Sequence, residues 1–257
     1  MNKLVMWMEE KLVPIAGKIG NERHLVALRD GFIGTMPATM AGSIALLLNA
    51  FLRDFPGALG WDGFVNMMVP IVKLNNYVWA GSLAVVALMF SISFGYNLAK
   101  AYNVDPLAGS VVSVASFIMG LSQTASTELT LAEKLPSNVI KLIEEAGGTV
   151  TDGQTIGASA WGYFNFDAYL GGSGLFAAII FGFVSVVIFC RLMNKNIIIK
   201  MPEAVPPAVA RAFAAIIPAV AALYVASFMN FIAKELSGQS LIDLISTTIQ
   251  EPLLQLS

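Results

Sequence analysis

Few residues in this chain are of a type that could do chemistry. His24 is the only histidine among 257 residues, set in the run Asn21-Glu22-Arg23-His24-Leu25. A general acid or base needs a partner within hydrogen-bond reach and a place to act. A lone imidazole beside Glu22 and Arg23, just ahead of an apolar stretch, reads instead as an interfacial surface residue. Cys190 is the only thiol, so neither an intramolecular disulfide nor a cysteine-based metal site can form from this sequence. Among Val186, Val187, Ile188 and Phe189 it reads as a small apolar core residue. No HExxH, CxxC or phosphate-cradling Walker loop is present. No catalytic, cofactor-binding or metal-ligating set is therefore assigned. The remaining candidates are the polar and aromatic side chains bordering apolar runs, namely Trp161, Asn165, Asp167 and Asn230. Their amide, carboxylate and ring groups could hydrogen-bond between helices or meet a polar solute on its path.

The elements that must position them are membrane elements. The chain is 56% apolar and 12% charged, with a mean hydropathy of +0.72 and a net charge of −2. Soluble domains are about one quarter charged. A balance this close to neutral gives no basic field for nucleic acid. Five stretches are long enough for a hydrocarbon core, which needs about 20 residues: Gly31–Leu52, Leu74–Ala99, Pro106–Thr127, Ala168–Cys190 and Ala212–Ala233. None contains an acidic or basic side chain, which argues against a proton relay or intramembrane ion site. Gly63–Val72 is apolar but too short to span alone. Leu4, Met8, Leu12, Ile15 and Ile19 recur at helical spacing opposite Lys3, Glu10, Lys11 and Lys18, an amphipathic N-terminal helix rather than a signal peptide. Basic residues gather before the first stretch, at Lys100, and at Arg191, Lys195 and Lys200. Five spans from a cytoplasmic N-terminus put all of them inside.

Residues 122–167 then form a long external loop. It carries the Ser/Thr run Ser122, Thr124, Ser126 and Thr127, a helical candidate over Leu131–Ala146, and a hairpin candidate from Thr149 to Ile156 across Asp152-Gly153. Trp161, Tyr163, Phe164 and Phe166 follow, either an interfacial aromatic belt or a platform on which a pyranose face could stack. Helices in lipid meet through small residues. Gly109, Ser113, Ser116 and Gly120 form one such stripe, and Ala208, Ala212, Ala215, Ala219, Ala222 and Ala226 form another, continued by Asn230. The Asn230 amide should therefore face protein or a polar cavity, because an unsatisfied amide in lipid is costly. Pro37 and Pro218 should kink their spans. Leu241, Leu244, Ile245, Thr248 and Ile249 mark a last short amphipathic helix before Pro252. The fold class is all-α, a polytopic membrane protein. It divides into residues 1–30 (amphipathic helix), 31–193 (transmembrane domain with the external loop) and 194–257 (inner turn, one further span and the short helix).

Three segments together resemble the enzyme IIC membrane subunit of bacterial phosphotransferase systems, in the lactose/cellobiose/chitobiose family. They are MEEKLVPIAGKIGNERHLVALRDGF (8–32), YLGGSGLFAAII (169–180) and KMPEAVPPAVARAF (200–213). The last, with Pro202, Glu203, Val205, Pro206 and Pro207 at the mouth of an alanine-rich helix, is the most specific. The resemblance implies a sugar permease of the bacterial cytoplasmic membrane. It would carry a β-linked disaccharide such as cellobiose, chitobiose or lactose and present it to a soluble IIB protein, which holds a phosphocysteine and is fed by IIA. It also implies a homodimer joined through residues 31–193, with the sugar held in a C-terminal half by hairpins bearing a histidine and a glutamate. His24 does not match that histidine, and the chain stops near where that half would begin. The expectation is a IIC truncated before its sugar-binding hairpins. The other reading is a membrane assembly or scaffold fragment with no transport of its own. No cofactor is implied.

Overall fold

A computed structural model describes residues 17, 20–162, 169–202, 204–250 and 252. The amphipathic helix expected over the first 19 residues lies almost wholly outside that set, as do Asn165, Asp167 and Glu203. The described chain is mostly helical. Helix α1 (Arg23–Asn49) begins where the Glu22 carboxylate caps the free N–H groups of His24 and Leu25. It continues through a π-helical turn (Ala50–Asp54) into α2 (Phe55–Ala58). The chain then returns along it as α3 (Asp62–Ala80) and α4 (Val86–Ala101). Beyond these lie α5 (Pro106–Gly120), α6 (Ser137–Glu145), α7 (Leu175–Asn194), α8 (Pro207–Ser237) and α9 (Leu241–Ile245).

Among the described residues, four helical stretches are long and apolar enough to cross a membrane: Arg23–Ala58, Asp62–Ala101, Gly172–Asn194 and Pro207–Ser237. The second differs from the uninterrupted span expected over Leu74–Ala99. Gly63–Val72 is the body of α3, and the helix breaks at Gly81–Val85 before resuming as α4. The break is built around Ser82, whose hydroxyl donates back to the Val78 carbonyl at 2.6 Å. It nests on α1 at Gly42, where a Cβ would run into the Ser82 side chain and come within 2.9 Å of Leu83. The third expected span is also shorter. Helix α5 has 15 residues and ends at Gly120, because Leu121 turns extended and the Thr-rich run after it becomes a strand. Pro37 and Pro218 both lie inside continuous helices.

Helix α5 sits at the centre, packed on α4, α7 and α8. Its small-residue stripe is divided between two neighbours. Gly109 lies against Gly95 and Ala99 of α4, where a Cβ on Gly109 would stand 2.8 Å from the Gly95 carbonyl. Ser113 joins Ser91 of α4 at 3.1 Å. Ser116 turns to α7 and joins Ser185 at 2.8 Å, while Gly120 meets the Phe181 ring. Each hydroxyl adds a polar tie without giving up close backbone approach. Around them Phe90, Phe94, Phe117, Phe181, Phe189 and the free thiol of Cys190 are fully buried.

The chain is not all-α. Strands β1 (Thr124–Thr130), β2 (Thr149–Thr151) and β3 (Thr155–Trp161) form an antiparallel sheet in the order β1-β3-β2. The hairpin expected across Asp152-Gly153 is its β2–β3 half, with Thr151 opposite Thr155. β1 was not foreseen as a strand. It pairs with the whole of β3, from Thr124 opposite Trp161 to Thr130 opposite Thr155. Its threonines suit a half-exposed pleat better than lipid. The helical candidate at Leu131–Ala146 shortens to α6, since Pro136 sets its start.

Candidate functional site

At one end of the bundle, Asn230 of α8 reaches two other elements. Its Nδ2 donates to the Met119 carbonyl in the last turn of α5 at 3.1 Å, and its Oδ1 accepts from the Leu241 N–H that opens α9 at 2.9 Å. Gly238, at φ +74°, closes α8 and lets the chain turn back so that α9 lies on this contact. Asp243 of α9 accepts from the Tyr169 hydroxyl at 3.2 Å and from the Ser240 hydroxyl at 2.5 Å. Tyr169 titrates above its ordinary range. Burial is the main cause, reinforced by the Asp243 charge and by the hydrogen bond to it. The phenol thus stays a donor. The buried face of α9 is Ile242 and Ile245; of the expected stripe Leu241, Leu244, Ile245, Thr248 and Ile249, Ile245 is buried, Leu241 and Leu244 are partly buried, and Thr248 and Ile249 are exposed. The π turn (Ser246–Gln250) rotates the last two outward.

The opposite end carries His24 and its partners. His24 Nδ1 lies 2.6 Å from the Glu22 carboxylate and Nε2 lies 2.8 Å from the Tyr102 hydroxyl. A neutral ring satisfies both by donating from Nδ1 and accepting at Nε2. Its edge meets Phe183 at 5.2 Å, and the Arg23 guanidinium lies 4.9 Å from the Tyr102 ring centre. Asn194 donates to the Tyr102 carbonyl at 3.0 Å. Partial desolvation works to raise the Glu22 pKa. The N–H groups of Leu25 and His24, with the neighbouring imidazole, outweigh it and hold the carboxyl below its usual range. His24 is thus a half-buried clasp joining α1, α4 and α7, more engaged than a surface residue.

The proline motif shapes the start of α8. The Val205 N–H donates to the Pro202 carbonyl at 3.1 Å, Pro206 is the cap, and Pro207 takes the first helical position, where its missing N–H costs nothing. Trp161 ends β3 and is 80% exposed. Of the four candidates Trp161, Asn165, Asp167 and Asn230, Asn230 alone is seen joining elements through its side chain, Asn165 and Asp167 lying outside the described residues. Tyr169, Ser240 and Asp243 were missed. So was an amide cluster in the α1–α3 hairpin, where Asn75 donates to Asn49 and Asn49 to Asn76, both at 2.9 Å. Three amides within apolar helices were the available signal. Among the described residues no group of three or more His, Cys, Asp or Glu could hold a metal ion.

These contacts define a helical membrane scaffold carrying the proline motif at the head of α8. The family model "Phosphotransferase system, EIIC" matches residues 29–254. The chain belongs to this EIIC family. The cellobiose-specific EIIC component of Lactococcus lactis is 41% identical to this EIIC chain, over 98% of the chain and 54% of its own length. The lichenan permease IIC component of Bacillus subtilis is 30% identical over 98% and 50%. The crystal structure of the transporter ChbC, the IIC component of an N,N'-diacetylchitobiose-specific phosphotransferase system, superposes with a TM-score of 0.77. Its identity is 28%, and the match covers 96% of this chain and 51% of that one. The EIIC chain spans about half the length of the relatives it matches.

Proposed function

We propose that this chain forms the N-terminal half of a permease subunit that takes up a β-linked disaccharide by phosphorylation-coupled translocation. The observation that carries this reading is the 41% identity to a cellobiose-specific EIIC component across nearly the whole chain. On it, α5 counts as a short fifth span between α4 and α7. The N-terminus lies inside with Lys100, Arg191, Lys195 and Lys200, and the sheet lies outside. Residues 31–193 supply the dimer contact, and 194–257 lead into the transport half. IIB donates the phosphoryl group from its phosphocysteine, with IIA upstream. Phosphoryl transfer depends on holding the sugar hydroxyl in line with the donor. His24 is clasped to Glu22 and Tyr102 and is not disposed for that task. Asn230 and Trp161, with Asn165 and Asp167, are retained as candidates for the sugar path or for helix contacts.

The test is uptake of labelled cellobiose, chitobiose and lactose in cells that supply IIA and IIB but lack IIC. The chain is expressed alone or with the C-terminal half of the L. lactis relative. Phosphorylated sugar should accumulate only with both halves. No uptake from the pair, with both halves present in the membrane, would overturn the transport reading in favour of an assembly fragment. Uptake by the chain alone would place sugar activation within these residues and overturn the division of labour.

A further inference from the structure

A groove of about 430 Å³ runs between α5 and α8, floored by Phe189 of α7. Its walls are Leu107 and Val111 on one side and Ala212, Ala215 and Ala219 on the other. At its mouth stand two opposite charges, Asp105 and Arg211. A smaller hollow of about 220 Å³ adjoins at the same two residues and is bounded by Asn103 and Asn194. The apolar slot therefore adjoins a hollow of mixed lining, where Asn103 and Asn194 stand beside Val104, Met193 and Ala214. Asp105 and Arg211 do not meet, since no ion pair within 4.0 Å joins them, and Arg211 has no acidic partner among the described residues. Asp105 caps α5 through one oxygen, Oδ1, which accepts from the Leu107 and Ala108 N–H groups. Its Oδ2 accepts no hydrogen bond among the described residues.

We infer that this groove binds a phospholipid whose headgroup carries both a phosphate and a primary ammonium, the phosphatidylethanolamine class. The charge pattern selects the headgroup. Arg211 offers the planar donor fork that suits phosphate, and the free oxygen of Asp105 accepts from an ammonium. A choline headgroup has no N–H to give it, and a glycerol headgroup has no positive charge. The dimensions suit a lipid. Both α5 and α8 begin at this mouth, so the slot runs inward from the charged helix ends. From Arg211 to Ala219 is about 12 Å at 1.5 Å per residue. One leaflet of a hydrocarbon core is about 15 Å deep. Small side chains on α8 leave room for an acyl chain, which the exposed Leu107 and Val111 flank.

The experiment offers the delipidated chain mixed micelles containing equal amounts of phosphatidylethanolamine, phosphatidylcholine and phosphatidylglycerol with the same acyl chains. Native mass spectrometry counts what is retained. Loss of one charge-assisted hydrogen bond should show as about a tenfold preference for ethanolamine over choline. Asp105→Asn keeps a good helix cap and should abolish the preference for ethanolamine over glycerol headgroups. Arg211→Gln should lower retention of all three about tenfold, and Ala215→Phe should expel the lipid. Equal retention of the three headgroups, or unchanged retention in both charge variants, would overturn the inference. So would an Ala215→Phe variant that loses self-association while keeping its lipid, because the groove would then be a protein contact. None of these readouts depends on sugar transport.

Discussion

Asn75 donates from its side-chain amide to the Asn49 side-chain oxygen at 2.9 Å, across the hairpin of α1 and α3. Both residues are buried within apolar helices. Asn75→Leu should leave the Asn49 oxygen without its donor and lower stability by about 1–2 kcal/mol. Asn49→Leu with Asn75→Leu should lose less than the sum of the single changes, because the Asn75–Asn49 hydrogen bond is counted in both single losses but can be lost only once. Thermal unfolding of the four proteins in detergent closes the cycle; strict additivity would mean the pair is uncoupled.

Ala222 and Ala226 are fully buried where α8 meets its neighbours, while Ala219 lines the open groove. Ala222→Leu should therefore cost about 1–3 kcal/mol through overpacking. Ala219→Leu should cost well under that, although both residues belong to one stripe. Leu223→Ala removes a partly buried side chain and should fall between them. Melting temperatures in one detergent decide the order. Equal losses at 219 and 222 would contradict the packing described for α8.

Asn230→Leu strips partners from the Met119 carbonyl and the Leu241 N–H together. The expected result is faster amide exchange across residues 238–250, with α4 and α7 unchanged. A cost of about 1–3 kcal/mol to the local opening equilibrium is the scale for orphaned polar groups. Uniform protection would show that α9 is held by Ile242 and Ile245 alone.

Single cysteines at Lys134 or Lys141 should react with an impermeant maleimide on intact cells, and one at Lys195 should not, if residues 122–167 lie outside. Cys190 is fully buried and should stay silent until the protein is unfolded. Labelling at 195 with protection at 134 would invert the orientation.

Much of the helical frame was legible because membrane spans announce themselves locally. Pro206-Pro207 and Gly238 mark the ends of α8 by backbone chemistry alone, and the direction of Asn230 followed from the cost of a bare amide in lipid. What escaped was decided by contacts between distant residues. Gly81-Ser82 is only a weak stop within a long apolar run, and the break there is stabilised by the close approach of Gly42 on α1. β1 was hidden by the apolar run leading into it, and its hydrogen bonds come from β3, beyond the α6 segment. The Tyr169–Asp243 contact joins residues 74 positions apart and has no local signature.

The three-stranded sheet also governs how deep the protein can sit. β1 and β2 each pair on one side only, so their outer edges carry backbone groups that must be hydrated. Drawing those edges into hydrocarbon would cost several kcal/mol per unsatisfied group. Helix α5 supplies about 22 Å before Gly120, and the chain then bends through residues 121–123 into β1. The helix alone is shorter than the thickness of about 30 Å for a bilayer core, so the bent residues after it must complete the passage. The sheet thus behaves as a float line. With the sheet outside, as proposed, drawing it inward would expose those edges to hydrocarbon and make vertical sliding of the bundle costly.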